Sequence, residues 1–85
     1  MNECFLCGKP ATETHHIFGA ALRKKSDKYG LTVKLCHSCH NEPPYGVHHN
    51  KDTMSFLHQY GQRKAMAENN WTIEDFRREF YKNYL

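Results

Sequence analysis

The chain carries the segment Cys36-His37-Ser38-Cys39, which repeats the cysteine spacing of an earlier segment, Cys4-Phe5-Leu6-Cys7. Two intervening residues let both thiolates of such a pair reach one tetrahedral Zn²⁺ at about 2.3 Å. Two pairs complete a four-sulfur shell, and a closed shell leaves no position for a reacting group. The spacing therefore predicts a structural zinc that stabilises the fold, with the ligands Cys4, Cys7, Cys36 and Cys39.

Three other uses of the cysteines remain open from the sequence. Two disulfides would also employ four cysteines, although nothing in the sequence indicates export to an oxidising compartment. A redox-active Cys-x-x-Cys pair requires a βαβ context, which the sequence does not show. A mixed metal shell would replace one cysteine by His37 or His40.

Length and composition fit one small domain. The chain has 85 residues, of which 39% are hydrophobic and 25% charged, and its mean hydropathy is −0.85. A core of this size is small, so a bound metal would supply stability that the core lacks. No apolar run approaches the roughly 20 residues of a membrane span, and the first residues do not resemble a signal peptide. We therefore expect a cytoplasmic protein without membrane association.

The metal-binding residue types are concentrated in the first half of the chain. All four cysteines and six of the seven histidines precede residue 50. This distribution predicts a zinc-bound module over residues 1–50. Residues 51–85 are then a helical extension that packs on the same single domain.

Local patterns place the elements of the module. Residues 13–17 and 31–35 have the alternating, partly β-branched pattern of short strands. The connection from Gly19 to Gly30 is predicted to be an exposed loop that can include a helical turn. A short helix should begin near Cys36 and end before the Pro43-Pro44 pair.

The extension has the signals of two helices. Asn50 or Asp52 can cap a helix that runs to about Asn69. Thr72 opens a last helix, with Asp75 completing a pattern like a capping box. An apolar stripe is expected to pack this end of the chain into the core, and it comprises Ile73, Phe76, Phe80 and Tyr84.

Several histidines are candidates for a second site. If the zinc draws residues 36–39 beside residues 4–7, the strands lie against the short helix, and one cleft can collect His15, His16, His40 and His48. Neutral imidazoles suit a divalent cation, and a histidine that is not a ligand can accept a proton from water near neutral pH. The other three are interpreted as structural or solvated, and they are His37, His49 and His58.

The order of these motifs resembles the HNH family of metal-dependent endonucleases, in the subgroup with a four-cysteine zinc around a ββα-metal finger. The resemblance covers about residues 4–50 and rests on the cysteine pairs, on His15-His16-Ile17, and on His40 directly after Cys39. The segment Pro43-Pro44-Tyr45-Gly46-Val47-His48 looks like that of small phage and prophage HNH proteins. The resemblance implies an α+β fold, a small zinc-stapled ββα-metal (HNH) finger followed by one or two C-terminal helices.

The resemblance also implies roles for individual histidines. His16 matches the general base that activates the attacking water, whereas His15 and His40 match ligands of a catalytic divalent ion. A further family ligand falls at Pro44, which cannot bind a metal. We expect His48 to replace it, with Asn50 as the second choice.

One family position has no counterpart in this sequence. The middle asparagine of the motif, which orients the base histidine, falls at Leu31 or Thr32. A catalytically inactive HNH-like zinc module that binds DNA or a protein partner is therefore the alternative to an enzyme.

The resemblance implies a DNA-hydrolysing endonuclease that leaves a 5′-phosphate and a 3′-hydroxyl. Its cofactors would be the structural Zn²⁺ and a catalytic Mg²⁺ or Mn²⁺, with Zn²⁺ or Ni²⁺ as alternatives. We expect double-stranded DNA with weak sequence preference, a monomer or homodimer, and a bacterial or phage-infected host cytoplasm. The net charge of +3 is compatible with DNA binding. The basic residues expected to contact phosphates are Arg23, Lys24, Lys25 and Lys28.

Overall fold

The computed structural model describes residues 2–85 and contains one two-stranded antiparallel sheet with four α-helices. Strand β1 spans Glu13–His16 and strand β2 spans Thr32–Leu35. Short 3₁₀ turns cover Ala20–Leu22 and Val47–His49. The helices are α1 (Arg23–Lys28), α2 (His37–Asn41), α3 (Lys51–Asn69) and α4 (Ile73–Phe80). The predicted α+β class is confirmed, and β1, β2 and α2 form an arrangement like a ββα finger.

The register of the hairpin separates the two adjacent histidines of β1. Glu13 pairs with Leu35, and His15 pairs with Val33. Because alternate strand residues share a face, Glu13 and His15 lie on the face that carries the buried side chains of β2. His16 is on the other face, which lies toward α1.

The connection between the strands is largely exposed, as the sequence predicted, but it is more helical than expected. It contains a 3₁₀ turn and helix α1, and α1 is fixed by the fully buried Ser26. The Ser26 hydroxyl donates to the Phe18 carbonyl at 2.7 Å and accepts from the Phe18 N–H at 3.0 Å. This buried pair of hydrogen bonds holds the basic segment as a helix against the end of β1.

One hydrophobic cluster joins the hairpin to the C-terminal helices. Phe18, just after β1, packs against Phe76 and Phe80 of α4, with ring centroids 5.6 and 4.8 Å away. Leu57 of α3 is buried in the same cluster. Gly61 of α3 faces Ile17 and Phe18 so closely that a Cβ atom there would lie 2.7 Å from the Ile17 Cγ2 atom.

The helix caps are those predicted from the sequence. The prediction that the whole apolar stripe of α4 packs into the core is only partly correct. Asn50 caps α3, and Thr72 forms a complete capping box with Asp75. Ile73 is exposed because it lies in the first turn of α4, outside the core. Tyr84 does pack on the core, although it follows the end of the helix. Among residues 2–85, no helix is long and apolar enough to cross a membrane.

Candidate metal centres and active site

Four cysteine thiols meet where β2 ends and α2 begins. Their sulfur atoms lie within 4.8 Å of one another, and the Sγ atoms of Cys7 and Cys36 are 3.6 Å apart. Sulfur atoms bound to one tetrahedral zinc at about 2.3 Å lie about 3.8 Å from each other. The Phe5 N–H donates to the Lys34 carbonyl at 2.8 Å, which fixes the N-terminal turn to β2. The cluster could hold a structural metal ion such as zinc.

Two other uses of the cysteines, disulfides and a shell completed by a histidine, do not fit this geometry. All four are free thiols, and 3.6 Å exceeds the roughly 2.05 Å of a disulfide bond. The imidazoles of His37 and His40 bond to Glu13 instead of joining the sulfur shell. Burial tends to raise the pKa of the Cys4 thiol, but nearby backbone N–H groups outweigh it and lower that pKa to about 6. A low thiol pKa favours the thiolate, which is the form that binds metals.

Three histidines form a second cluster next to the first. One ring nitrogen from each of His15, His40 and His48 lies within 4.8 Å of the other two. The Nε2 atoms of His40 and His48 are 3.1 Å apart. Nitrogens bound at about 2.1 Å to adjacent positions of one octahedral ion lie about 3 Å apart. Three imidazoles in this arrangement can hold one divalent cation and leave further positions open for water or phosphate.

Each of the three histidines comes from a different element. His15 is in β1, His40 is in α2, and His48 is in the 3₁₀ turn after the proline pair. The turn depends on Gly46, whose N–H donates to the Glu42 carbonyl at 2.7 Å and where a Cβ atom would lie 2.6 Å from that oxygen. The tight turn returns the chain to α2 and places His48 beside His40.

Glu13 fixes the orientation of His40. Its Oε1 atom lies 2.7 Å from His40 Nδ1, and its Oε2 atom lies 2.9 Å from His37 Nδ1. These hydrogen bonds from His40 and His37 lower the pKa of the Glu13 carboxyl. Because the carboxylate accepts a hydrogen bond from the Nδ1–H group of His40, the Nε2 lone pair of His40 is directed at the cluster.

The buried member of the cluster carries an unpartnered nitrogen. His15 is 4% exposed, and its Nε2 atom is buried without a hydrogen-bond partner within residues 2–85. Burial, followed by the proximity of His40 and His48, lowers the pKa of His15 to about 4. Burial and His40 likewise lower the pKa of His48. Neutral imidazoles with free lone pairs are the state that binds metals, so these residues fit a divalent cation.

His16 lies beside this cluster and has a different partner. Its Nε2 atom is 2.8 Å from Oδ1 of Asp27, which is in α1. A carboxylate accepts, so Nε2 carries the proton and Nδ1 keeps the lone pair. Both His16 and His15 line a cavity of about 270 Å³ that also borders His40 and His48. The alternation of β1 separates the two histidines at their backbones, yet both reach one cavity.

Two residues of this arrangement were missed in the sequence. The sequence places Asp27 in an exposed basic loop and Glu13 in a strand, and it indicates no functional role for either residue. Glu13 could have been found from its position two residues before His15, because that spacing puts both on one strand face. No local signal identified Asp27, since its contact with His16 depends on how α1 packs.

The predicted basic residues divide into two groups. Arg23 lines the histidine cavity, and Lys24 lines an adjoining cavity with Arg23 and Asp27. Lys25 lines neither of these two cavities, and its Nζ atom donates to the Glu79 carbonyl and to the Tyr81 hydroxyl. Lys28 is exposed, with its Nζ atom 5.2 Å from the centroid of the Tyr29 ring.

The remaining candidate residues either make structural contacts or lie outside the histidine cluster. Asn50 is not free to bind a metal, because Oδ1 accepts from the Thr53 N–H and Nδ2 donates to the Pro44 carbonyl. His58 stacks on Phe18 with ring centroids 5.4 Å apart. His49 is exposed and lies outside the cluster of three. Among the expected ligands, the structure therefore groups His48 and not Asn50 with His15 and His40.

Comparison with known proteins does not assign the chain to a family, because no family model, curated protein or solved structure matches it.

Proposed function

We propose that this chain is a metal-dependent endonuclease of the HNH type that hydrolyses DNA phosphodiester bonds, with His16 as the general base. The observation that carries the proposal is the juxtaposition of the His15–His40–His48 cluster with His16 in one cavity. A closed structural site has no need of a basic group beside it, whereas hydrolysis needs both a cation and a base.

His16 performs the proton transfer in this proposal. With Nε2 bonded to Asp27, the Nδ1 lone pair accepts a proton from a water molecule. The hydroxide attacks phosphorus, the bond from phosphorus to the 3′ oxygen breaks, and that oxygen leaves with a proton taken from solvent. The products are a 5′-phosphate and a 3′-hydroxyl.

Asp27 acts through His16 and is a positioning residue. Its carboxylate keeps the proton on Nε2, and it prevents rotation of the ring away from the cavity. In the proposed enzyme, Asp27 orients the base histidine, which is the function of the family asparagine. The position of that asparagine is Leu31 or Thr32 in this chain. A carboxylate on the imidazole also stabilises the positive charge that the ring gains when it accepts the proton.

The metal-binding part of the proposal uses residues that fit a cation. His15, His40 and His48 would hold a divalent ion such as Mn²⁺, Ni²⁺ or Zn²⁺, whereas Mg²⁺ prefers oxygen ligands, and Glu13 would keep His40 in the required orientation. Such an ion supplies stabilisation of the negative charge that develops on the phosphate and on the leaving oxygen. The cysteine cluster is proposed to hold zinc for structure only.

The charge around the cavity suits a nucleic-acid backbone. Arg23 borders the histidine cavity and Lys24 borders the adjoining one, so both can meet phosphates on one side of the cluster. Contacts of this kind raise affinity without reading sequence. We accordingly propose DNA with weak sequence preference as the substrate.

The test is conversion of supercoiled plasmid to the nicked form by zinc-loaded protein with added Mg²⁺ or Mn²⁺. The His16→Ala variant should lose at least about 100-fold in rate, as expected when a general base is removed. Arg63→Ala, a change on the exposed surface of α3, should nick like the unmodified chain. Absence of nicking by folded, zinc-loaded protein would favour the inactive binding module, and equal nicking by His16→Ala would exclude His16 as the base.

A further inference from the structure

A second cavity next to the histidine cluster includes His48 in its lining and does not include Arg23. It has a volume of about 630 Å³ and lies between the start of α3 and the C-terminal residues 82–84. His48 borders both this cavity and the smaller one that contains His15 and His16. An extended polymer bound across the histidine cluster would therefore enter this second cavity directly.

The lining of the second cavity is cationic. Lys51 and Lys82 lie on it, and neither forms an ion pair in the part of the chain that the structure describes. No aspartate or glutamate lines it within the same part of the chain. The Nζ atom of Lys82 lies 5.1 Å from the centroid of the Tyr84 ring. Two ammonium groups without an ion-pair partner, on a cavity whose described lining has no carboxylate, favour an anionic ligand.

The cavity also offers apolar surface. The side chains of Met54 and Tyr84 line it and are only partly buried. Tyr84 is held in place because its N–H donates to Gln62 Oε1 at 2.6 Å, and because its ring packs on His58 at 4.6 Å between centroids. Gln62 is fully buried, so the wall that Tyr84 forms is part of the folded core and does not have to be ordered by a ligand.

We propose that this cavity is a subsite for one unpaired nucleotide of the substrate strand, next to the phosphate that is cleaved. In this subsite the base and sugar lie against Met54 and Tyr84, and the phosphate lies between Lys51 and Lys82. The proposal rests on the proposed endonuclease function and specifies its substrate. A base can enter a concave site of this kind only when it has left the duplex stack, so single-stranded or locally unpaired DNA is the preferred substrate.

The binding test uses fluorescence anisotropy with a fluorescein-labelled single strand of ten thymidines, zinc-loaded protein and no added divalent ion. We expect the variant Lys51→Ala/Lys82→Ala to bind about 10-fold more weakly. The slope of log K against log salt concentration should be smaller in magnitude by about 1 to 2. Arg63→Ala removes one positive charge from another face of α3 and should change the affinity less than twofold. Equal losses in the double variant and in Arg63→Ala would overturn the subsite.

A second probe separates a nucleotide site from a site for phosphate alone. An abasic strand of the same length keeps the phosphates and lacks the bases. Because contact of a base with an aromatic ring contributes about 1–3 kcal/mol, the abasic strand should bind at least about 5-fold more weakly to the unmodified chain. Equal binding of the two strands would overturn the proposal, since it would mean that only phosphates are recognised.

A kinetic test separates this proposal from the endonuclease proposal. On an oligonucleotide duplex with one unpaired nucleotide, the double variant should raise KM about 10-fold and leave kcat within twofold. If His16→Ala abolishes cleavage and the double variant has an unchanged KM, the subsite is wrong and the endonuclease stands. If nothing is cleaved but the binding results hold, the endonuclease is wrong and the cavity remains a nucleotide-binding site.

Discussion

The Nε2 atom of His40 lies 3.1 Å from the Nε2 atom of His48, although the two residues belong to different elements. The separation matches two ligands of one ion, and His15 completes the set from the hairpin. The arrangement depends on the turn at Gly46, which returns the chain toward α2 after the proline pair. In the proposed enzyme, His48 would be the ligand that the resemblance places at Pro44.

Replacing His48 by alanine should weaken the binding of a second divalent ion. The variant loses one of three imidazole ligands, so we expect the affinity for Mn²⁺ to fall at least about 10-fold, measured by isothermal titration of zinc-loaded protein. His49→Ala is the matched control, because it removes an adjacent imidazole that is outside the cluster. Equal Mn²⁺ affinity of the two variants would show that His48 is not a ligand.

Replacing Glu13 by glutamine should weaken the same ion without removing a ligand. The amide cannot accept from both His40 and His37 as the carboxylate does, so His40 loses its fixed orientation. Loss of such a supporting group typically costs about 10- to 100-fold in metal affinity. Titration with Mn²⁺ tests this, with Glu68→Gln on the exposed face of α3 as the control. An affinity unchanged by Glu13→Gln would mean that His40 needs no support.

Features encoded by short-range spacing could be predicted from the sequence. The spacing within each cysteine pair, the alternation within each strand and the caps at Asn50 and Thr72 depend on residues a few positions apart, and the structure has all of them. Short-range spacing is sufficient in these cases because the zinc geometry, the strand alternation and the cap hydrogen bonds are local.

Features that depend on packing between distant segments could not be predicted. The contact between His16 and Asp27 requires α1, and α1 is held by hydrogen bonds between Ser26 and Phe18 that no periodicity reveals. The second cavity combines the start of α3 with the last residues of the chain. The aromatic pattern near Tyr84 indicated core packing, but it carried no information about a cavity beside that core.

Gly61→Ala should destabilise the fold, although alanine favours helices more than glycine does. The added methyl group would lie 2.7 Å from Ile17 Cγ2 and 3.0 Å from Phe18 Cε2 in the buried cluster. Overpacking typically costs about 1–3 kcal/mol, against a gain of about 1 kcal/mol in helix propensity. We expect a net loss of up to about 2 kcal/mol in the free energy of unfolding, measured by urea denaturation of zinc-loaded protein.

The matched control for Gly61 is the exposed Ala67, which lies in the same helix. Ala67→Gly should cost about 1 kcal/mol through helix propensity alone. The pair of variants then separates propensity from packing. A Gly61→Ala variant more stable than the unmodified chain would mean that α3 does not approach the hairpin as closely as described.

Removal of the zinc should unfold the chain. Binding of a structural zinc contributes on the order of 10 kcal/mol, which is comparable to the whole stability of a typical domain. Cys39→Ser should therefore lose bound zinc and most of its helical circular dichroism, whereas Ser38→Ala, inside the same cysteine pair, should keep both. A Cys39→Ser variant that remains folded without zinc would show that the hydrophobic core alone suffices.

Replacing Asp27 should slow catalysis without weakening substrate binding. Asp27 acts through His16, so Asp27→Ala should lower kcat for nicking by about 10- to 100-fold. Because the Asp27 carboxylate also lines the cavity of Arg23 and Lys24, its removal should leave KM unchanged or lower it, and KM should not rise. Asp27→Asn retains an oxygen that can accept from His16 Nε2, and it should recover part of the rate. Glu68→Ala removes an exposed carboxylate elsewhere and should have no effect on kcat.

A merely structural role of Asp27 predicts a different result. If the side chain only stabilised α1, both Asp27 variants would lower the melting temperature, and the rate per folded molecule would stay constant. The side chain of Asp27 is 65% exposed, so we expect little change in melting temperature. The ¹⁵N chemical shifts of His16 give a second readout, because loss of the carboxylate should shift the ring away from the tautomer with the proton on Nε2. An unchanged tautomer together with an unchanged kcat in Asp27→Ala would exclude the assigned role.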